Sequence, residues 1–556
     1  MHFIAQITVL VALTLGATAA VAATDVTDVT AVTPQGTLVG ETTARSITVF
    51  RGIPYAVPPI GVRRWKYAEA APDWKFARTA RENAPSCMQP TQAPTFTTGT
   101  GKVQTRLFAG PQPQMSEDCL YLNVWSPKPD AATPAAKRPV MVWIHGGALM
   151  TGSGSLANYD GSALAAKGAV IVTINYRLGL FGFYAHPELS AESPTGTSGN
   201  YGLSDQIEAL RWVRRNIAAF GGDPENVTIF GESAGSWSVG LLLSSPQAKG
   251  LFHRAIGESG NYIFPMLNLK TAAPGKLSAE AKGAAFAQNA VGGGIDQLRA
   301  LSAAELEAKA TALSAVKPAE LAIIDGAIIT RSVRETFMTG TQHAVPLLVG
   351  FNSDEGSGLS DSPDFPPVPA DGATYTKFAQ GLFGSLAERG LKLYPPGDPT
   401  AAVFDFYRDV SFGAPMQQMA QAAGKANVPA YLYYFSHTPP YANVMRGLAF
   451  GKAERKLGAH HGAEIPYVFG TIGKGLAEGT APTARDRQLA DLMGNYWVSF
   501  ARSGNPNGAG RPVWQPYRDT DRRFVLFNNG ARPGVNLLPG TLELQTEIYP
   551  TLFGAR

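Results

Sequence analysis

The β-branched run Val227-Thr-Ile-Phe230 enters Gly231-Glu-Ser-Ala-Gly235 directly, and Ser236-Trp-Ser-Val-Gly-Leu-Leu-Leu243 follows without a break. A strand must therefore turn into a helix within a few residues, a turn that only glycine-flanked segments make. The neighbouring sequence has the same alternation. Pro139-Val-Met-Val-Trp-Ile144 and Ala169-Val-Ile-Val-Thr-Ile-Asn-Tyr176 are short, continuous apolar runs bounded by turn residues, which predicts buried strands. From Leu203 to Phe220 the period lengthens to that of a helix, with Leu203, Ile207, Leu210, Val213, Ile217 and Phe220 on one face. Gly221-Gly222 stops this helix and Asp223-Pro224 predicts a turn. Further strands are expected at residues 346–349, 430–435 and 524–527. A late amphipathic helix carries Leu489, Leu492, Met493, Tyr496, Trp497 and Phe500 and ends near Ser503-Gly504. Such alternation predicts an α/β chain with a large, mostly parallel central sheet and helices on both faces. In that architecture the reactive site lies at the carboxyl ends of the strands.

The chain has 556 residues, 45% of them hydrophobic and 16% charged, which is enough apolar surface for one large core. The net charge of +4 is spread out, without a dense Lys/Arg stripe, so nucleic acid is not an expected partner. An apolar run from Phe3 to about Leu15, then small residues ending in Val21-Ala22-Ala23, predicts a cleaved secretory signal over residues 1–23, although only His2 precedes the run where a Lys or Arg is usual. The run is too short to span a bilayer, and no later segment has transmembrane character, so no stable membrane insertion is expected. Residues 24–556 are expected to form a single domain, since no repeat or low-complexity linker divides them. Export makes a bridge between the only two cysteines, Cys87 and Cys119, an expectation too. Closing a loop of that length would contribute about 3–4 kcal/mol.

Gly-x-Ser-x-Gly between a strand and a helix is the arrangement that lifts a serine hydroxyl above a sheet. A serine needs a base to attack, and the base needs an acid to orient it. On this scaffold the chain order is serine, acid, histidine. Two downstream segments fit: Val349-Gly-Phe-Asn-Ser-Asp354-Glu355-Gly356 and Gly458-Ala-His460-His461-Gly462-Ala-Glu464. Spacing does not choose between Asp354 and Glu355, or between His460 and His461. His145-Gly146-Gly147 ends a strand with glycines. Their N–H groups, with that of Ala234, suit stabilisation of a negatively charged oxygen. A phosphate loop would need a Gly-Lys-Ser/Thr ending, which is missing here. Trp237 and Tyr262-Ile-Phe264 are candidate walls of a substrate pocket; no obvious amphipathic lid stands out, and Phe365 to Tyr375 and Leu382-Phe-Gly384 are the only stretches that could supply a candidate lid.

Taken together, these residues resemble the type-B carboxylesterases, a family that includes bacterial para-nitrobenzyl esterases and animal cholinesterases. The resemblance rests on Phe50-Arg-Gly-Ile-Pro-Tyr55, Glu117-Asp-Cys-Leu-Tyr-Leu-Asn-Val124, Asn175-Tyr-Arg-Leu-Gly179, Gly199-Asn-Tyr-Gly-Leu203 and residues 220–235. It implies an α/β-hydrolase fold and hydrolysis of carboxylic esters without a metal or organic cofactor. By the same resemblance Ser233 is the nucleophile, Glu355 the acid, His461 the base, Gly146, Gly147 and Ala234 the oxyanion hole, and Cys87–Cys119 a disulfide. It leaves His460 as a neighbour without a role. Cholinesterases carry a tryptophan in the disulfide loop that binds quaternary ammonium. The loop here, Met88 to Asp118, has Phe96 and Phe108 but no Trp or Tyr, which argues against a choline ester.

Overall fold

A computed structural model describes residues 27–43, 46–90, 95–98, 101–104, 114–128, 137–260, 262, 265–313, 321–358, 368–440, 442, 458–474 and 481–553. The expected signal segment, Phe108, Ile263, Phe264 and the start of the candidate lid lie outside these residues, as does the side chain of Phe96.

Twelve strands form one sheet: β1 (Thr27–Thr33), β2 (Gly36–Thr42), β3 (Ile47–Pro54), β4 (Tyr121–Pro127), β5 (Arg138–Ile144), β6 (Val170–Ile174), β7 (Gly222–Glu232), β8 (Arg254–Glu258), β9 (Leu347–Asn352), β10 (Ala430–Phe435), β11 (Phe524–Phe527) and β12 (Ala531–Gly534). A short strand at Arg78–Thr79 pairs with β2. The spatial order is β1-β2-β3-β4-β6-β5-β7-β8-β9-β10-β11-β12. From β6 through β11 every neighbouring pair is parallel. The first four strands and the last one are antiparallel to their neighbours. The helices used below are α1 (Tyr201–Asn216), α2 (Ala234–Ser244), α3 (Val333–Thr339), α4 (Pro399–Arg408), α5 (Ala414–Lys425), α6 (Ala484–Ser503) and α7 (Thr541–Phe553).

The central strands read as unbroken apolar runs because both of their faces are covered. In β5, Val140, Val142 and Ile144 belong to the core on one side. Met141 and Trp143 belong to the core on the other, which α6 caps with Trp497 and Phe500. This alternation is the period-2 geometry of a strand with a hydrophobic layer on each side.

Two local expectations differ from the structure. The helix over Leu203–Phe220 stops at Asn216 and tightens into a 3₁₀ turn at Ile217–Phe220, before Gly221 closes it in the left-handed conformation. Asp223-Pro224 is not a turn. The β7 register jumps from Arg138↔Gly222 to Val140↔Val227, so these residues lie in an irregular strand start, where a missing proline N–H is tolerated. Within the described part of the candidate lid, Gly372–Phe383 is a packed helix, with Tyr375 and Phe383 buried among Tyr394 and Phe406. Among the described residues no helix is long and apolar enough to cross a membrane. Cys87 and Cys119 form a disulfide, with Cα atoms 4.9 Å apart.

Candidate active site

Three adjacent parallel strands end together. In β7, Glu232 pairs with Glu258 of β8, which in turn pairs with Gly350 of β9. The residues that follow these ends, Ser233, Ser259 and Glu355, therefore meet at the carboxyl edge of the sheet.

Ser233 sits between β7 and α2 with φ 58° and ψ −123°, a strained conformation for a non-glycine residue. Its backbone N–H donates to the Glu258 carbonyl at 2.9 Å. The flanking glycines are sterically required. A Cβ on Gly235 would lie 2.0 Å from the Ile144 carbonyl oxygen, and one on Gly231 would lie 2.6 Å from the same atom. Gly146 packs directly on the serine, since a Cβ there would come within 3.1 Å of Ser233 Cβ. Among the described residues the N–H groups of Gly146, Gly147 and Ala234 find no acceptor.

The loop bearing Gly146 and Gly147 is held in two places. Gln89, two residues from Cys87, donates to the Gly152 carbonyl and accepts from the Gly152 N–H, both at 2.9 Å. His145 stacks on Tyr176, and burial pulls its pKa down to about 4, so it is neutral.

Glu355 follows β9 at the start of a short turn and is fully buried. Its Oε1 accepts from Ser259 Oγ at 2.6 Å and from the Asn352 N–H at 2.8 Å. Its Oε2 lies 2.6 Å from Nδ1 of His461. The other ring nitrogen, Nε2, lies 3.2 Å from Glu232 Oε1. The Ser233 hydroxyl makes no hydrogen bond among the described residues. Phe412 packs on the imidazole with ring centroids 4.7 Å apart. It belongs to a π-helical turn, Asp409–Gly413, between α4 and α5.

The alternatives left open by spacing separate here. Asp354 accepts from the Gly458 N–H at 2.7 Å, and so ties the histidine loop to the end of β9. His460 is buried, and its carbonyl accepts from Asn352 Nδ2 at 2.9 Å. Glu355 and His461 are the pair in direct contact.

Sequence patterns did not single out the carboxyl groups around this pair. Glu232 and Glu464 are buried near His461, Glu258 is buried beside these two, and Glu464 accepts from Asn352 Nδ2 and Tyr433. Glu258 accepts from the Trp497 indole N–H at 2.8 Å. Burial raises Glu258 well above the usual carboxyl range, and Glu464 adds to the shift. Burial also pushes Glu232 up to about 8 and Glu464 up to about 7. Burial lowers His461, but the facing carboxylates of Glu232 and Glu355 outweigh it and push its pKa up to about 9. Glu232 and Glu464 had local sequence signals, as the variable residue inside Gly-x-Ser-x-Gly and as the last residue of the histidine segment, and Glu258 had none. Of the candidate walls, Tyr262 is buried, and Trp237 is half-buried against the main core.

The chain matches the carboxylesterase family over residues 27–370 and 394–541. It is similar to a fumonisin B1 esterase of Sphingopyxis macrogoltabida, 36% identical over 504 residues that cover 88% of this chain and 84% of that protein. It is also similar to carboxylesterase 1D of Rattus norvegicus, 34% identical over 86% of this chain and 85% of that one. Among solved structures, a PNB esterase superposes with a TM-score of 0.73 at 33% identity, covering 94% of this chain and 100% of that one. A Geobacillus stearothermophilus carboxylesterase superposes with a TM-score of 0.75 at 32% identity, over 93% and 99% of the two chains. The chain belongs to the type-B carboxylesterase family and is a carboxylic ester hydrolase on an α/β-hydrolase fold.

Proposed function

We propose that the chain hydrolyses small carboxylic esters through an acyl-enzyme formed on Ser233. The observation that carries this reading is the 2.6 Å contact between Glu355 and His461 at the edge where Ser233 stands on its strained turn. His461 takes the proton of the Ser233 hydroxyl as the oxygen attacks the ester carbonyl. Glu355 fixes the imidazole orientation and stabilises the imidazolium. The negative charge that forms on the carbonyl oxygen is met by the N–H groups of Gly146, Gly147 and Ala234, which are already free to donate. The alkoxide leaves with the proton from His461. Water, deprotonated by His461, then attacks the acyl carbon and releases the carboxylic acid.

Ser233→Ala should lower turnover of p-nitrophenyl acetate and butyrate by several powers of ten, and it should abolish labelling by a fluorophosphonate. Turnover within ten-fold of wild type would overturn the assignment. The relatives are named for a fumonisin ester and for general carboxylesterase activity, so a panel varying acyl and alcohol size is the direct route to the preferred ester.

We also propose that the protein is exported, with residues 1–23 removed. The disulfide between Cys87 and Cys119 supports an oxidising destination. N-terminal sequencing of protein from the periplasm or medium tests this, and an intact Met1 would overturn it.

A further inference from the structure

Away from Ser233, helices α3, α5 and α7 line a partly open cavity of about 190 Å³. Its body is apolar, formed by Phe337, Met338 and Met419, with Tyr262 on one wall. Two cationic side chains, Arg334 and Lys425, complete the lining, and none of the lining residues is acidic.

The cations are in an unusual position for this protein. Helix α7 supplies Glu543 to Arg522 and Glu547 to Arg389. Toward Arg334 the same helix presents Tyr549 and Thr546 instead, and the guanidinium lies 3.7 Å from the Tyr549 ring centroid. The Nε of Arg334 is buried without a hydrogen-bond partner, and among the described residues no carboxylate pairs with Arg334 or Lys425. Lys425 Nζ donates to the Met338 carbonyl at 2.9 Å, its one acceptor among the described residues. A buried guanidinium N–H without an acceptor is costly, and a carboxylate is the acceptor that fits it best. An apolar cavity of about 150 Å³ is enough to hold benzene, so this one accommodates a body of that size.

Tyr262 connects the cavity to the nucleophile helix. Its hydroxyl donates to the Ser236 carbonyl at 3.0 Å, three residues after Ser233. Its ring packs against the α2 backbone, where a Cβ on Gly240 would lie 2.6 Å from Tyr262 Cε1.

We propose that this cavity is a second site for an amphipathic monocarboxylate, the chemical class that ester hydrolysis releases, and that filling it slows turnover through Tyr262 and the first turn of α2. The apolar body enters between Phe337 and Met419, and the carboxylate meets the guanidinium of Arg334 where it lines the cavity, with Lys425 beside it. The site rests on the ester hydrolysis of the family and does not depend on which serine is acylated.

Benzoate is the probe, with benzyl alcohol as its uncharged counterpart. Calorimetric titration uses wild type, Arg334→Gln and Lys425→Glu, each inactivated beforehand with a fluorophosphonate. The mass of the labelled protein reports whether Ser233 reacted, so failure of the acyl-enzyme reading is visible separately. Lys425 is exposed, so its replacement does not threaten folding. Each variant should weaken benzoate binding about ten-fold or more, and benzyl alcohol should bind wild type about ten-fold more weakly than benzoate. In unlabelled enzyme, benzoate should lower kcat in wild type but raise only KM in Lys425→Glu. Unchanged benzoate affinity in both variants, or equal binding of benzyl alcohol, overturns the site. Intact binding with no effect on kcat overturns the link through Tyr262.

Discussion

Nε2 of His461 lies 3.2 Å from Oε1 of Glu232, the residue immediately before Ser233 in the chain. The imidazole is therefore flanked by two carboxyl groups, Glu355 on Nδ1 and Glu232 on Nε2. The consequence for catalysis is a pH dependence shifted upward. An unperturbed histidine would place the acid limb of kcat/KM near pH 6.5. Here the facing carboxylates push His461 up to about 9 against the effect of burial, so the limb should lie above 6.5. Glu232→Gln removes one of the two charges and should move the limb downward by on the order of one pH unit. A limb at the same pH in wild type and variant would show that Glu232 does not act on His461.

The same cluster contributes to the pH dependence of stability. Glu232 and Glu464 have native pKa values above the ordinary carboxyl value, near 8 and 7, and His461 is raised to about 9. In all three cases the native state binds protons more tightly than the unfolded chain. Stability from these groups is therefore greatest at low pH and falls as pH rises through the window from about 4.5 to 9. Thermal melts should show Tm declining from pH 5 to pH 9, and Glu232→Gln should flatten that slope. A Tm that rises across this range would contradict the cluster as described.

Ser259 connects β8 to Glu355. Its hydroxyl donates to Glu355 Oε1 at 2.6 Å, and the Asn352 N–H is the other donor to that oxygen. Ser259→Ala leaves the buried carboxylate one donor short, a loss of about 1.5–3 kcal/mol for a hydrogen bond to a charged group. Because Ser259 acts through Glu355 and not on substrate, kcat should fall roughly ten-fold or more with KM unchanged. A change confined to KM would place Ser259 in the substrate pocket instead.

The distribution of these residues explains what could be read from sequence. Ser233, Gly146 and the strands β5, β6 and β10 carry local signals: a glycine-framed serine, a glycine pair after a strand, and continuous β-branched or aromatic runs. Strand β8, Arg254-Ala-Ile-Gly-Glu258, has charged ends and one glycine in five residues, so no period marks it. Ser259 meets Glu355 across 96 positions and Glu232 meets His461 across more than 200, so these contacts are set by strand order and not by spacing. Phe412 packs on His461 from a π-helical turn, and that turn leaves no mark in the hydrophobic pattern.

The disulfide holds the segment that anchors Gln89. Cys87 and Cys119 are 32 positions apart, so the cross-link should stabilise the fold by about 3–4 kcal/mol through the unfolded chain. Cys87→Ser with Cys119→Ser should lower the denaturant midpoint correspondingly. It should also reduce kcat, because Gln89 holds both backbone groups of Gly152 in the loop after Gly147. Gln89→Ala should reproduce the loss of kcat without the full loss of stability. Wild-type kcat in both variants would show that the loop holds its shape unaided.

Glycine substitutions separate the steric role of the turn at Ser233 from helix propensity. A Cβ at Gly235 would stand 2.0 Å from the Ile144 carbonyl oxygen, a backbone atom that cannot rotate away. Ile144 leads directly into His145-Gly146, so any shift that relieves the clash also moves the free N–H groups. Gly235→Ala should therefore cost about 3 kcal/mol or more and lower turnover together. Gly424, inside α5, has nothing within 4 Å of its would-be Cβ and no positive φ. Gly424→Ala should instead stabilise by about 0.4–1 kcal/mol, because alanine restricts the unfolded chain without strain in the folded one. Urea midpoints for the two variants should therefore move in opposite directions from wild type. A Gly235→Ala midpoint equal to or above that of wild type would mean that β5 and α2 are not in contact at this turn.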